Sequence, residues 1–309
     1  MNTNQHFIFA RYAADLFRRL HLEAALSLNY YRYNFENIYP LAQTAFTQRD
    51  FTPQLMPRIA LSYQLTNNFI WRASVSRGYS TPTIAEVRPT DNVVNTSLQA
   101  QYGWNYETGF RLRSKDESLL LDASVFYYRL NNAIVSHTNP DETTTFVNSG
   151  GTNQPGLELA FSWWIIGQNN AGFLRGLQFT NAYTYNRFTF NSGAKYANNQ
   201  LTGVAKQVLV SGLQLKFPAG LNLFVQHNYT SGIPLNDANT VFAPHYNLLQ
   251  AKAGWQHPLS RNTRLELFAG ADNLLNQRYS LGNDLNAIGN RYYNPSPLRN
   301  YYVGGSVRF

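Results

Sequence analysis

The chain has 309 residues, the length of about two average domains, and contains no cysteine, 14% charged residues and 15% aromatic residues, with a formal net charge of +8. The lack of cysteine excludes disulfide frameworks and thiolate metal sites, and the charged fraction is well below the roughly 25% of soluble domains. No run of about 18 apolar residues occurs in the sequence, which excludes a transmembrane helix. This composition is typical instead of a membrane β-barrel, whose apolar surface is divided among alternating strands.

Alternation of apolar and polar residues with a period of two runs along most of the chain. In residues 20–31, for example, Leu22 and Leu26 fall on one face and Glu23 and Ser27 on the other. The pattern predicts thirteen strands, over residues 6–17, 20–33, 51–65, 68–79, 104–114, 119–130, 152–165, 174–188, 206–217, 221–231, 246–257, 263–273 and 299–309. Strands in soluble proteins average about 5–6 residues, whereas a tilted membrane-spanning strand needs about 9–11. The lengths therefore favour strands that cross a bilayer.

The connections between the predicted strands alternate strictly between short and long. The short ones are residues 18–19, 66–67, 114–118, 166–173, 218–220 and 258–262. The long ones are residues 34–50, 80–103, 131–151, 189–205, 232–245 and 274–298. Outer-membrane barrels have short turns on the periplasmic side and long loops outside, whereas a soluble Greek-key sandwich has no reason to alternate in this way. The alternation therefore predicts a transmembrane barrel.

The predicted strand number is odd, although bacterial single-chain barrels generally have an even number. An odd number would leave two unpaired edges in lipid, which is costly for every unsatisfied backbone group. The first residues also show no secretory signal peptide. These observations predict that residues 1–309 are a C-terminal piece of a larger barrel, while a count off by one would permit a self-contained barrel of 12 or 14 strands.

Several motifs occur in a fixed order along nearly the whole chain. The most specific are PRIALSY at residues 57–63 and SVSRGYSTPTIAEV at residues 74–87. Weaker ones lie at residues 9–22, 105–109, 126–134, 148–159 and 272–279 and at the terminal Phe309. Together, these motifs resemble the C-terminal β-barrel of a TonB-dependent outer-membrane receptor.

The resemblance implies an all-β, antiparallel up-and-down transmembrane barrel of 22 strands, of which this chain would supply about thirteen, around an N-terminal plug domain that this sequence lacks. It implies TonB-energised uptake of a bulky, scarce nutrient, most often a ferric siderophore. The expected partners are outer-membrane lipid and lipopolysaccharide, the TonB complex through the missing plug, the barrel-assembly machinery and an iron–siderophore ligand. The expected location is the bacterial outer membrane.

Candidate ligand-binding residues are those that flank the long loops. Guanidinium groups suit anionic ligands such as ferric siderophores, and aromatic rings could stack on an aryl ligand in a vestibule. The candidates are Arg77, Tyr79, Arg88, Tyr102, Trp104, Arg291, Tyr292 and Tyr293. For other aromatic residues at strand ends, a girdle at the membrane interface is the favoured interpretation, and these are Tyr30, Tyr31, Tyr33, Tyr127, Tyr128, Tyr183, Tyr185, Tyr301 and Tyr302. The resemblance marks Phe309 as the barrel-assembly signal.

Two rival functions stay open from the sequence, a self-contained passive channel of 12–14 strands and an outer-membrane barrel enzyme. The sequence contains no H-E-x-x-H, G-x-S-x-G or P-loop motif, and its six histidines have no metal-ligand spacing. We therefore predict no catalytic residues, metal or cofactor. The positive charge lies among turns and polar strand faces and forms no basic stripe, so nucleic-acid binding is not predicted.

Overall fold

The strands follow one another in a single meandering sheet. The computed structural model describes residues 2–36, 47–89, 94–139, 141, 143–168, 170–191 and 195–309. The thirteen strands along the sheet are β1 (Asn2–Leu16), β2 (Leu20–Phe35), β3 (Thr47–Thr66), β4 (Phe69–Ser80), β5 (Gln101–Arg113), β6 (Leu119–Asn131), β9 (Gly151–Ile166), β10 (Gly176–Asn186), β12 (Gln207–Lys216), β13 (Leu221–Thr230), β16 (Tyr246–Pro258), β17 (Arg264–Asp272) and β18 (Asn300–Arg308). Short strands in the long connections are β7 (Ile134–Thr138), β8 (Thr144–Asn148), β11 (Thr189–Phe190), β14 (Ile233–Pro234) and β15 (Phe242–Ala243).

Each of the thirteen strands pairs antiparallel with the next of the thirteen along the chain, and β1 and β18 are the two ends of this hydrogen-bonded path. The predicted count of thirteen and the alternation of short and long connections are thus confirmed. The structure adds the hairpins β7–β8 and β14–β15 within long connections, and β11, which pairs with β9.

The two faces of the sheet differ in chemistry because the side-chain period of a strand is two. One row across five strands joins Ala24, Ile59, Val75, Tyr106 and Tyr127. The adjacent row on the opposite face joins Glu23, Ala60, Ser74, Glu107 and Phe126. We call the first, largely apolar face the outer face and the second the inner face, as in a membrane barrel.

Charged side chains of the inner face are joined across strands by ion pairs. The Glu23 carboxylate accepts from Arg11 at 2.6 Å and lies 3.7 Å from the Arg58 guanidinium. Asp122 lies between Arg72 and Arg111, at 2.6 and 2.7 Å. These ion pairs bring opposite charges of the inner face together, so that the charges offset one another.

The tyrosines of the predicted girdle divide between the two faces. The register places Tyr30, Tyr127 and Tyr301 on the outer face, where their rings are exposed. Tyr33 is fully buried, and its ring packs edge-on against Phe51 at 5.3 Å. Consecutive tyrosines on one strand, such as Tyr127 and Tyr128, point to opposite faces, so a single girdle cannot contain both.

Helical structure is short in the described part of the chain. Helix α1 (Ile84–Val87) is capped by Thr83, whose hydroxyl accepts from the Glu86 amide. The two 3-10 turns are Pro218–Gly220 and Ile288–Asn290. None of these helices is long and apolar enough to cross a membrane.

Candidate functional site

The long connections lie together at one end of the sheet, which we call the long-loop end, and the short connections lie at the opposite, turn end. The loop after β4 folds back over β2 and β3 at the long-loop end. Val87 of helix α1 packs in a buried cluster with Tyr33 and Phe51. The Arg49 guanidinium donates to the backbone oxygen of the buried Leu98 and lies 5.0 Å from the Phe51 ring. These contacts hold the loop against strands β2 and β3.

Asn148, at the end of β8, links that loop to the next one. Its side-chain amide donates to the backbone oxygens of Gln99 and Asn132, at 2.9 and 2.8 Å, and its side-chain oxygen accepts from the Gln99 amide at 2.7 Å. The Asn95 side chain also donates to the backbone oxygen of Phe146 at 2.8 Å. The β7–β8 hairpin is thereby held to the preceding loop.

A second loop cluster forms from the connections after β13 and β17. Leu235, Ala243 and Tyr292 are buried against one another. The Asp237 amide donates to the side-chain oxygen of Asn286 at 3.0 Å, and its carboxylate accepts from the Thr202 hydroxyl at 2.6 Å. The connection after β10 is thus joined to the same cluster.

A cavity of about 600 Å³ opens between the β7–β8 hairpin and this second cluster. Four different long connections contribute to its lining. The lining combines charged Lys195 and Asp237, several amides and hydroxyls, and the aromatic residues Tyr196 and Tyr292. The Lys195 ammonium lies 5.2 Å from the centre of the Tyr196 ring. The lining also includes the aliphatic Val135 and Val147, so a cavity of this volume suits a ligand that has both polar groups and a flat, less polar portion.

The β7–β8 hairpin also carries a carboxylate with a defined environment, outside the lining of the cavity. Asp141 lies in the connection between β7 and β8, where the hydroxyl and amide of Thr143 donate to it at 2.6 and 3.1 Å. These hydrogen bonds stabilise the charged form and lower the pKa of Asp141.

The structure brings four of the sequence-predicted residues together, but away from the cavity. Tyr79 pairs with Tyr102 and Arg77 with Trp104 across β4 and β5. The Arg77 guanidinium lies 5.0 Å from the Tyr102 ring and donates to the Gln54 side chain at 2.8 Å. All four residues therefore lie on the outer face, as Val75 and Tyr106 do.

Trp104 belongs to a stack of rings on the outer face. Its ring lies 6.4 Å from Tyr106, which lies 6.5 Å from Tyr127. Rings at this position are typical of the aromatic belt that meets a membrane interface. A role for Trp104 in ligand stacking stays a prediction.

The remaining predicted residues are distributed over two loops and the last strand. Tyr292 lines the cavity, while its neighbour Tyr293 is exposed and donates from its hydroxyl to the Phe242 backbone oxygen at 3.1 Å. Arg88 and Arg291 are exposed and do not line this cavity. Phe309 follows β18 and is 96% exposed.

Sequence reasoning did not single out Lys195, Asp237 or Asn148 as site residues. Asn148 lies within the motif at residues 148–159, which contributed to the family resemblance but was given no functional role. Lys195 and Asp237 lie in polar loops that resemble ordinary solvated connections in sequence. Their convergence follows only from how the long loops fold.

Known proteins share this architecture. A family described as "TonB dependent receptor-like, beta-barrel" matches residues 1–274. Among solved structures, the chain is similar to the siderophore receptor PiuA from Acinetobacter baumannii, with a TM-score of 0.75 and 18% identity over 99% of this chain and 43% of that one.

Two further structures are similar over 99% of this chain. The ferric yersiniabactin uptake receptor FyuA from Yersinia pestis has a TM-score of 0.73 and 17% identity, with 45% of that chain covered. The copper transporter OprC has a TM-score of 0.80 and 15% identity, with 47% of that chain covered. The chain thus spans less than half the length of these structures, and at such identities the likeness shows the fold alone.

Proposed function

The chain belongs to the TonB-dependent receptor β-barrel family, and on that premise we propose that it is part of an outer-membrane receptor that imports a ferric siderophore. The family resides in the outer membrane, and it and the matched solved structures are transport receptors, not enzymes. The proposed uptake is energised by TonB, which would act through a plug domain inside the complete barrel.

The observation that carries the proposal is the cavity at the long-loop end. In this family's orientation, long loops face the outside of the cell, so the cavity opens where a ligand would arrive. Its volume of about 600 Å³ is within the range of small-molecule sites. Lys195 would offer a positive charge to an anionic ligand, and Tyr196 and Tyr292 would offer rings to an aryl group.

Arg77, Tyr79, Arg88, Tyr102, Trp104, Arg291 and Tyr293 remain proposed contacts outside this cavity. Arg77 and Tyr102 form a cation–aromatic pair on the outer face, so the contact proposed for them is with a ligand outside the sheet, before it reaches the long loops. Arg88 and Arg291 lie on exposed loop surfaces, where a guanidinium would attract an anionic ligand.

We also propose that the thirteen strands are part of a 22-stranded barrel around a plug. The open ends of the sheet support this, because β1 and β18 would otherwise expose unpaired backbone groups to lipid. A self-contained passive channel is not favoured, because such a channel requires a closed sheet and the family consists of receptors. Contacts with lipopolysaccharide and with the barrel-assembly machinery belong to the same proposal.

The experiment uses the complete receptor, expressed in bacteria that lack other siderophore receptors. Uptake of radioactive iron is measured with catecholate and hydroxamate siderophores, and uptake of copper is measured in parallel. We expect saturable, TonB-dependent iron uptake, which Lys195→Gln weakens roughly tenfold in apparent affinity through loss of a charge-assisted contact.

Lys206→Gln is the matched control, since Lys206 is an exposed cation at the same end and does not line the cavity. It should leave uptake unchanged. Copper uptake without iron uptake, or equal effects of both substitutions, would contradict the proposal.

A further inference from the structure

A second cleft, of about 650 Å³, lies at the turn end, far from the long loops. Three turns adjacent in the sheet form it, those between β1 and β2, between β3 and β4, and between β5 and β6. Backbone hydrogen bonds join the turns to their neighbours, from the Gln64 amide to the Arg19 oxygen at 2.8 Å and from the Arg113 amide to the Asn68 oxygen at 2.9 Å. The cleft is therefore formed by regular barrel structure and not by long, adaptable loops.

Cations lie on both sides of this cleft. Arg19 lies on one side, and Arg113 and Lys115 lie on the other. Among the described residues, the only ion pair of these three is that of Arg113 with Glu117, at 3.3 Å between exposed groups. Among the described residues the lining contains no carboxylate, although the Asp116 carboxylate of the same turn accepts from the lining residue Ser114 at 2.6 Å.

Neutral hydrogen-bonding groups lie between the cations. Thr66, Asn67 and Asn68 line the cleft between them and offer hydroxyl and amide groups, whereas the hydroxyl of Ser114 already donates to Asp116. Such donors between positive charges suit a phosphate diester that carries a polar head, because its oxygens accept both kinds of hydrogen bond.

The edge of the cleft is apolar and faces lipid. Leu65 lines the cleft at a β-bulge and is exposed, whereas Arg113 has the register of the inner-face residues Glu107 and Arg111, so the cleft lies at the rim of the sheet. A molecule bound here would thus have its charged part among cations and its other part beside hydrocarbon.

A second, independent feature of the turn end is typical of a surface that contacts lipid headgroups. At three turns, an exposed apolar side chain lies two residues before an arginine. The pairs are Phe17 with Arg19, Phe173 with Arg175, and Leu259 with Arg261, and the apolar members are 90%, 80% and 57% exposed. An apolar anchor beside a cation is the arrangement favoured at an anionic membrane interface.

We propose that this cleft binds the headgroup of an anionic phospholipid, phosphatidylglycerol for example, in the periplasmic leaflet of the outer membrane. The phosphate lies between Arg19 and the pair Arg113 and Lys115, the glycerol hydroxyls meet the Asn67–Asn68 turn, and the acyl chains run along Leu65. The lipid would bridge the first three hairpins of the chain. This inference rests on the membrane location of the family and not on the identity of the imported ligand.

The test measures lipid binding to the complete receptor in detergent by native mass spectrometry. Short-chain phosphatidylglycerol, short-chain phosphatidylcholine and inorganic phosphate are titrated separately. We expect phosphatidylglycerol to bind more tightly than phosphatidylcholine, and the combined substitution Arg19→Gln, Arg113→Gln and Lys115→Gln to weaken it by roughly tenfold or more. Raised salt should reduce the difference between the two lipids.

The matched control removes two exposed cations of the long-loop end, with Arg187→Gln and Lys206→Gln, and should leave lipid binding unchanged. Lys115→Gln alone, in an exposed turn, provides a mild variant whose folding is checked by heat-modifiable migration. Equal binding of the two lipids, or unchanged binding in both cleft variants, overturns the proposal. Binding of inorganic phosphate as tight as that of phosphatidylglycerol would assign the cleft to free phosphate and would also overturn it. Siderophore uptake is a separate readout, so failure of one proposal leaves the other distinguishable.

Discussion

At the residue scale, glycine is required where the backbone has a positive φ and another atom lies close. Gly220, in the turn between β12 and β13, has φ +81°, and a Cβ there would lie 1.9 Å from the Gln256 backbone oxygen. Gly282, in the loop between β17 and β18, has φ +64° with nothing within 4 Å. Comparing these two glycines therefore distinguishes the cost of a positive φ from the cost of a steric clash.

We predict that Gly220→Ala lowers the free energy of unfolding by about 3 kcal/mol, because positive-φ strain and overpacking add. Gly282→Ala should cost only about 1 kcal/mol, from strain alone. Urea unfolding of the receptor in detergent, followed by tryptophan fluorescence, measures both. Equal losses for the two variants would show that the contact with Gln256 is unimportant.

The sequence predicted a short turn at Gly220 and a long loop at Gly282, but it did not show which of the two has a close neighbour. Gly220 follows a proline between two strands, which predicts a tight turn. That a neighbouring strand comes within contact distance of its α-carbon depends on the pairing of β13 with β16, which local sequence does not reveal.

At the element scale, a few polar side chains lie on the lipid-facing side of the strands. Asn181 of β10 and Ser211 of β12 are cross-strand partners on the outer face, and the Asn181 amide donates to the Ser211 hydroxyl at 2.8 Å. Leu209 and Leu213 are their neighbours on that face of β12. Since lipid offers no replacement hydrogen bond, this pair should be strongly coupled.

We predict that Ser211→Ala lowers the free energy of unfolding by about 1–2 kcal/mol, because the Asn181 amide loses its acceptor in an apolar environment. Adding Asn181→Leu should restore or exceed the parent stability, since no unpaired group then faces lipid. Urea unfolding in lipid vesicles measures the complete double-mutant cycle.

The matched control lies on the inner face, where the Gln178 amide donates to the Ser162 hydroxyl at 3.0 Å across β10 and β9. Ser162→Ala should cost less, because water in the lumen can replace the lost acceptor. Equal costs on the two faces would argue that the outer face is not in lipid.

Strands were the most predictable elements of this chain. Thirteen were predicted and found in the sheet. They were predictable because successive side chains of a strand point to opposite faces, so apolar and polar residues alternate in the sequence. The hairpin β7–β8 and the helix Ile84–Val87 were missed because each is a few residues long and lies within a polar connection. Too few residues were present there for a period to be visible.

At the scale of the whole molecule, β18 is one end of the hydrogen-bonded path of strands that this chain supplies. β18 pairs with β17 on one side only, and Phe309 beyond it is almost fully exposed. From the family resemblance, we propose that Phe309 is read by the assembly machinery.

We predict that deletion of Phe309 from the complete receptor lowers the amount of folded, heat-modifiable barrel in the outer membrane, because the proposed assembly signal would be lost. The fraction of receptor that migrates as the compact form in unheated gels is the measurement. Phe309→Tyr, which keeps an aromatic ring, is the control and should assemble normally. Normal assembly after the deletion would remove this role.

The sequence by itself determined the strands, the two faces, the alternation of turns and loops, and the family, since each is written in local periodicity or in motifs with a set order. Only the tertiary structure decided the sites. Contacts that form them join distant residues, such as Asn95 with Phe146, 51 positions apart, and Gln99 with Asn148, 49 apart. Arg19, Asn68 and Lys115 likewise meet only because hairpins adjacent in the chain become adjacent in the sheet. Such meetings depend on strand register and loop packing, which no single segment of the chain encodes.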